Sequence, residues 1–219
     1  MTEIIAECGV NWRDLDEAKK LIGQVVWANC KYAKFQIFKE EQIKGHPKFN
    51  ELKNFILNEE QVKELVDYGK WMDVEVFFSV MYPEAVSWLD KYVNRYKVRS
   101  TDYQNEELLK KIYATNKEII VSIPCDKVVK KKKGIKYLYC VPEYPAKIES
   151  YDLKIAKQFD GISSHVKDLD FLKKCIDMNF KMLEVHVMPD NFGDYLEKDW
   201  SITMLALKEL MEYAKEKYL

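Results

Sequence analysis

The sequence predicts an α/β fold, a (β/α)8 TIM barrel built as one compact domain over residues 1–219. Three observations predict it. Eight short runs rich in Ile, Val, Phe and Tyr alternate with amphipathic stretches of helical period, the pattern of parallel strands joined by crossover helices. Polar side chains capable of chemistry recur at the C-terminal ends of those runs, where the loops of such a barrel gather on one face. The 219 residues are 47% hydrophobic, enough for one substantial core, yet fall short of the roughly 250 usual for this architecture. A trimmed barrel is therefore expected.

In chain order, the predicted strands are residues 3–8, 32–38, 74–78, 95–98, 118–123, 136–141, 159–162 and 182–186. Each is short, β-branched or aromatic, and bounded by polar or turn-forming residues. The predicted helices are residues 15–29, 59–69, 83–92, 105–115, 151–157, 168–179 and 201–218. Residues 125–133, after the fifth strand, form the weakest helical stretch: it is short and carries the run Lys130, Lys131, Lys132 and Lys133. Four lysines without interleaved aromatics read as a solvated face rather than a nucleic-acid contact. The longest connection, residues 40–58 with Gly45, His46 and Pro47, follows the second strand on the catalytic side and reads as a lid or substrate loop.

Bulk charge excludes several partners. The 35 basic and 36 acidic residues interleave to a net charge of −1, so neither nucleic acid nor an anionic membrane surface is an expected partner. Five cysteines without a CxxC pair argue against a disulfide framework or a structural zinc knuckle. The start of the chain has no basic flank with a long apolar stretch, and no segment is long enough to span a bilayer, so a cytoplasmic location is expected. The plentiful Tyr and Trp residues suit either the core or a dimer face, and a homodimer is the expectation.

The strand ends present Glu7; Lys34 and Gln36; Ser79; Lys97, Ser100 and Asp102; Ser122; Tyr144; Ser163 and His165; Glu184 and His186. Lys34 stands between Ala33 and Phe35 in an otherwise apolar strand, where a buried ammonium is costly without an anionic partner. That partner is either a bound phosphate or carboxylate, or Glu7 or Glu184 within the barrel mouth; outward snorkelling is the other option. His165 and His186 end adjacent strands, and two imidazoles there can reach one divalent ion while leaving positions open for water and substrate. Each histidine taken alone reads equally as a satisfied polar residue. His46, in a loop before Pro47, reads as a surface residue.

In the order of these motifs the chain resembles the sialic acid synthase family. The string Ile4 to Asn11 looks like the family's first strand, and Ala33-Lys34-Phe35-Gln36 like its second. Phe77-Phe78-Ser79 resembles the third, and Tyr96 to Asp102 followed by Asn105 the fourth. Cys140 with Tyr144-Pro145-Ala146 resembles the sixth; Ile162 to His165 and Glu184-Val185-His186 sit where the family keeps its metal-ligating histidines. The resemblance implies condensation of phosphoenolpyruvate with an aldose or other aldehyde to a 2-keto-3-deoxy sugar acid, with release of phosphate. It implies a divalent metal, Mn2+ in the first place with Mg2+ or Co2+ as options, on His165 and His186. Lys34, Lys97, Ser100, Ser163 and Tyr144 would cradle phosphoenolpyruvate. Glu7 and Asp102 would be the catalytic acidic residues, with Gln36 and Asp199 on the sugar.

The chain also departs from the family. Trp12 replaces a histidine, Val80 a threonine, Pro142 an asparagine, Ser164 an aspartate and Val185 a lysine. The family's small antifreeze-like domain after the barrel is expected to be absent. These departures motivate the alternatives: a catalytically silent or repurposed barrel binding a sugar or acidic metabolite, or a metal-dependent aldolase or lyase acting on another keto acid.

Overall fold

A computed structural model describes residues 2–191 and 193–217. Eight parallel strands pair in chain order: β1 (Glu3–Gly9), β2 (Tyr32–Ile37), β3 (Glu75–Val80), β4 (Arg95–Val98), β5 (Glu118–Pro124), β6 (Ile135–Cys140), β7 (Gly161–Ser164) and β8 (Met182–Met188). Pairing of β1 with β8 closes them into a barrel, and a two-residue strand, β9 (Ile202–Thr203), adds to β8. The α/β fold class, a (β/α)8 TIM barrel, is thereby established.

The longer helices cover the outside because each carries an apolar stripe. In α1 (Leu15–Trp27), Ala18, Leu21, Ile22 and Val25 recur at helical spacing and are all buried. Asp14 caps its start, accepting from the Glu17 backbone N–H at 2.8 Å. The second connection folds into α2 (Glu40–Ile43), α3 (Phe49–Leu52) and a 3-10 turn, then α4 (Glu59–Trp71), whose Asn58 and Gln61 form a capping box. Then follow α5 (Pro83–Leu89), α6 (Glu106–Ala114), α7 (Leu153–Ala156), α8 (Leu169–Asp177) and α9 (Met204–Lys217). The predicted last helix extended to Tyr218, which lies outside the described residues.

Two differences from the sequence reading have physical causes. Residues 125–134 form no helix. With four successive lysines the segment has no apolar stripe to bury, and Val128 is fully exposed. The seventh strand begins at Gly161, two residues later than expected, because the chain bends at Asp160, whose carboxylate rather than its backbone carbonyl accepts the Tyr137 N–H at 3.0 Å. Gly161 can start the strand there because a Cβ would lie 2.1 Å from the Met182 carbonyl oxygen. Among the described residues, no helix is long and apolar enough to cross a membrane.

The N-terminal mouth of the barrel is closed by an ionic plug. Glu3, Glu75, Arg95 and Glu118 are the first residues of β1, β3, β4 and β5. The Arg95 guanidinium meets the three carboxylates at 2.5, 3.2 and 3.2 Å and packs on the faces of Tyr32 and Phe77. Charge so placed at the bottom of a barrel serves stability, which leaves chemistry to the opposite face.

Candidate active site

The C-terminal ends of the strands enclose a cavity of about 330 Å³, within the range of small-molecule sites. Glu7, Lys34, Gln36, Lys97, Ser100, Tyr144, Ser163, His165 and His186, all expected from the sequence, line it together with Ser79, Ser122, Cys140 and Glu184.

The floor is a buried lattice of two cations and two anions. Lys34 donates to Ser79 Oγ at 2.7 Å, contacts the Glu7 carboxylate and lies 3.5 Å from Glu184. Lys97 donates to Ser122 Oγ at 2.7 Å and to the Val98 carbonyl at 3.2 Å, and lies 3.6 Å from Glu184. Ser163 donates to Glu184 at 2.7 Å, and Gln36 Nε2 donates to Glu7 at 3.2 Å. The Lys34 side chain points into the mouth, paired with Glu7 and Glu184, and does not snorkel outward. Burial pulls the Lys34 ammonium down to about 8, with Glu184 opposing and Lys97 reinforcing. Burial pushes the other way on Glu184, but the two lysines and the Ser163 hydroxyl overcome it and hold the carboxyl near about 2. Lys34 and Glu184 therefore stay ionised at neutral pH. Cys140 shares this floor, and burial raises its thiol to about 11, against Ser100 and Lys97, so it is not a thiolate nucleophile.

The two histidines stand side by side, ring centroids 5.2 Å apart. His165 Nδ1 lies 2.7 Å from the Val141 carbonyl, which only accepts, so Nδ1 carries the hydrogen and Nε2 keeps the lone pair. His186 Nδ1 lies 3.0 Å from Glu197 Oε2, giving its ring the same polarity. Burial takes His165 down to about 3, helped by neighbouring His186 and opposed by the Val141 bond, so its imidazole is neutral. Tyr144 covers His165 with ring centroids 3.9 Å apart, and Trp200 packs 5.4 Å from Tyr144.

Both flanking loops are fastened to the barrel. Asn11 Nδ2 donates to the Val187 carbonyl and to Ser201 Oγ, each at 2.8 Å, while its Oδ1 accepts from the Glu197 backbone N–H at 3.0 Å. Tyr195 adds a hydroxyl bond to Glu17 at 2.8 Å. Gly9, with φ +47°, makes room for the carboxylate of Glu197, since a Cβ there would come 2.1 Å from Oε2. Across the mouth, the loop after β2 packs Phe55 edge-on against Trp12 at 4.9 Å and brings Gln42, Ile43, His46 and Leu52 to the cavity. His46 is exposed, as the sequence suggests, yet it stands at this entrance.

Two expected site residues do not join the cavity lining. Asp102 turns back onto the Arg99 Nε, and Asp199 is exposed. Among the polar and aromatic lining residues, Glu197 and Trp200 had no place in the sequence reading, and Arg99 stood only within the fourth-strand motif, with no role of its own. Glu197 could have been sought among the acidic residues that follow His186 in the last loop, but nothing local separates it from Asp190 and Asp194.

The imidazole pair fits a divalent cation by its chemistry: each ring has its Nδ1 held by an oxygen, which turns Nε2 toward the role of donor. Among the described residues no group of three or more His, Cys, Asp or Glu side chains is arranged to hold a metal. Two protein donors would leave the remaining positions to water and substrate, the layout of a catalytic rather than a structural centre.

Comparison with known proteins agrees with this geometry. A family model described as the NeuB family matches residues 20–218. A curated relative, N,N'-diacetyllegionaminic acid synthase of Campylobacter jejuni, is 27% identical over 86% of this chain and 68% of its own length. The N-acetylneuraminic acid synthetase of Leptospira borgpetersenii, solved with citrate, superposes with a TM-score of 0.90 at 21% identity, covering 98% of this chain and 83% of that one. A spore coat polysaccharide biosynthesis protein of Bacillus subtilis superposes with a TM-score of 0.83 at 22% identity, covering 99% and 68%. At such identities the two superpositions speak for the fold.

Proposed function

We propose, from the premise that this chain belongs to the NeuB family, that it condenses phosphoenolpyruvate with the aldehyde of an open-chain sugar to give a 2-keto-3-deoxy sugar acid and phosphate. The observation that carries this reading is one cavity in which an imidazole pair, each Nδ1 held by an oxygen, faces a buried Lys34, Lys97, Glu7 and Glu184 lattice. Relatives named as a diacetyllegionaminic acid synthase and an N-acetylneuraminic acid synthetase support the same chemistry for those groups.

His165 and His186 would hold a divalent ion, manganese in the first place, which when bound supplies Lewis acidity toward the acceptor's carbonyl oxygen. Lys34 and Lys97, with the hydroxyls of Ser100 and Ser163, hold the anionic donor and place its C3 toward that carbonyl carbon. Fixing both reactants in one enclosed site makes carbon–carbon bond formation effectively unimolecular. Glu7, lodged between Lys34 and Gln36, takes the proton of the water that adds to C2. Collapse at C2 then breaks the C–O bond and releases phosphate. Lys34 and Lys97 meet the charge of the departing group without reorganising, since their positions are already fixed. Tyr144 and Trp200 screen the histidine side of the site from bulk water.

Phosphate release from phosphoenolpyruvate tests this reading across a panel of aldoses with manganese present. Release that requires both an aldose and the metal, and that falls at least ~100-fold in His186→Ala with the fold intact, is expected, since loss of only an outer partner of such a histidine already costs about 10- to 100-fold. Undiminished activity in that variant contradicts the metal assignment, and the absence of release with every aldose contradicts the condensation.

A further inference from the structure

We propose that Arg99 is the cavity's receptor for an oxyanion of the substrate, and that Asp102 is the positioning residue that aims it. The inference deepens the phosphoenolpyruvate reading and rests on it for the identity of the ligand. It starts from a count of donors. An ammonium has three, and those of Lys34 are already surrounded by Ser79, Glu7 and Glu184, those of Lys97 by Ser122, the Val98 carbonyl and Glu184. A substrate anion reaching either lysine must compete with buried protein acceptors.

Arg99 is the cation of the lining that is not so occupied. It follows β4 directly and lines the cavity beside Ser100 and Thr101, with its side chain 34% exposed. Its Nε is taken by Asp102, which does not line the cavity, and its terminal nitrogens have no protein partner among the described residues. A guanidinium gripped along one edge presents its other edge as a rigid fork, the geometry that pairs two N–H groups with a carboxylate or phosphate. The charge balance points the same way. Lys34, Lys97 and Arg99 face Glu7, Glu184 and Glu197 in the lining, three against three. Without Arg99 the side chains of the lining leave two cations against three carboxylates, a weaker hold on a ligand bearing both phosphate and carboxylate. Asp102 thereby acquires a role from its actual placement, behind the arginine rather than in the pocket.

Calorimetric titration of inorganic phosphate, pyruvate and phosphoenolpyruvate into the full chain tests this, using wild type, Arg99→Ala, Arg99→Lys and Asp102→Asn. Arg99→Ala is expected to weaken phosphoenolpyruvate at least tenfold. A parallel loss for phosphate assigns the phosphoryl end to Arg99, and a parallel loss for pyruvate assigns the carboxylate end. Arg99→Lys should recover part of the affinity through its charge alone, and Asp102→Asn should lose a few-fold with unchanged melting temperature, a change that a purely structural role would not produce. Affinities of Arg99→Ala within twofold of wild type for all three ligands overturn the proposal, as does a wild type that binds none of them. Wild type binding phosphate or pyruvate but not phosphoenolpyruvate removes the proposed substrate while leaving the Arg99 site standing.

Discussion

Replacing Glu197 with alanine should loosen the metal site without unfolding the protein. The bond removed is the 3.0 Å contact from His186 Nδ1 to Glu197 Oε2, buried at the end of β8. A hydrogen bond to a charged group in such a setting contributes about 1.5–3 kcal/mol, and at about 1.4 kcal/mol per decade that corresponds to roughly 10- to 100-fold in affinity. Losses of this order are typical when an outer partner of a metal-binding histidine is removed. The loop itself should hold, because Asn11 fastens it through the Glu197 backbone N–H and through Ser201 rather than through the carboxylate. Manganese titration of wild type, Glu197→Ala and Glu197→Gln, with nitrogen chemical shifts reporting the His186 tautomer, provides the assay. The glutamine variant keeps an acceptor and should lose less than the alanine. Wild-type manganese affinity in Glu197→Ala, with the His186 hydrogen still on Nδ1, would refute this reasoning.

Other consequences concern stability. Arg95→Met leaves Glu3, Glu75 and Glu118 facing one another at the barrel bottom and should cost about 3–5 kcal/mol, the range for breaking a buried ion pair; denaturant unfolding measures it, and a cost below 1 kcal/mol contradicts the plug. Stability should fall as pH drops from about 6.5 toward about 2. His165 titrates near about 3 in the fold against 6.5 unfolded, and Glu184 near about 2 against 4.5, so across that window the unfolded chain binds more protons. His165→Gln should flatten the upper part of the slope, and a wild-type melting temperature unchanged from pH 7 to 4 would contradict the assignment. Gly9→Ala should reduce manganese affinity, because its Cβ displaces the Glu197 carboxylate, and should cost about 1–2 kcal/mol for a left-handed backbone in a residue with a side chain; melting and metal titration check both effects.

Much of this architecture was legible in the sequence for a physical reason. Strands buried on both faces read as apolar runs, and β4 was placed to the residue. Polar residues ending those runs have few places to go but the barrel mouth, so Glu7, Lys34, Lys97, His165 and His186 were found together. What escaped depends on tertiary packing. The missing helix after β5 follows from four lysines having nothing to bury, a weakness visible in the sequence but not decisive there. Glu197 enters the site through Asn11, 186 residues earlier, and through space left by Gly9. Neither link has a local signature. Asp102 shows the opposite case, a position matched by motif whose side chain is captured by its neighbour Arg99.

Phosphoenolpyruvate titrated into metal-free and manganese-loaded protein, with the His165→Ala, His186→Ala double variant as control, tests whether donor and metal share this cavity. Manganese should strengthen the binding, and the double variant should lose that enhancement. Manganese binding to the wild type with no uptake of phosphoenolpyruvate would contradict a shared site.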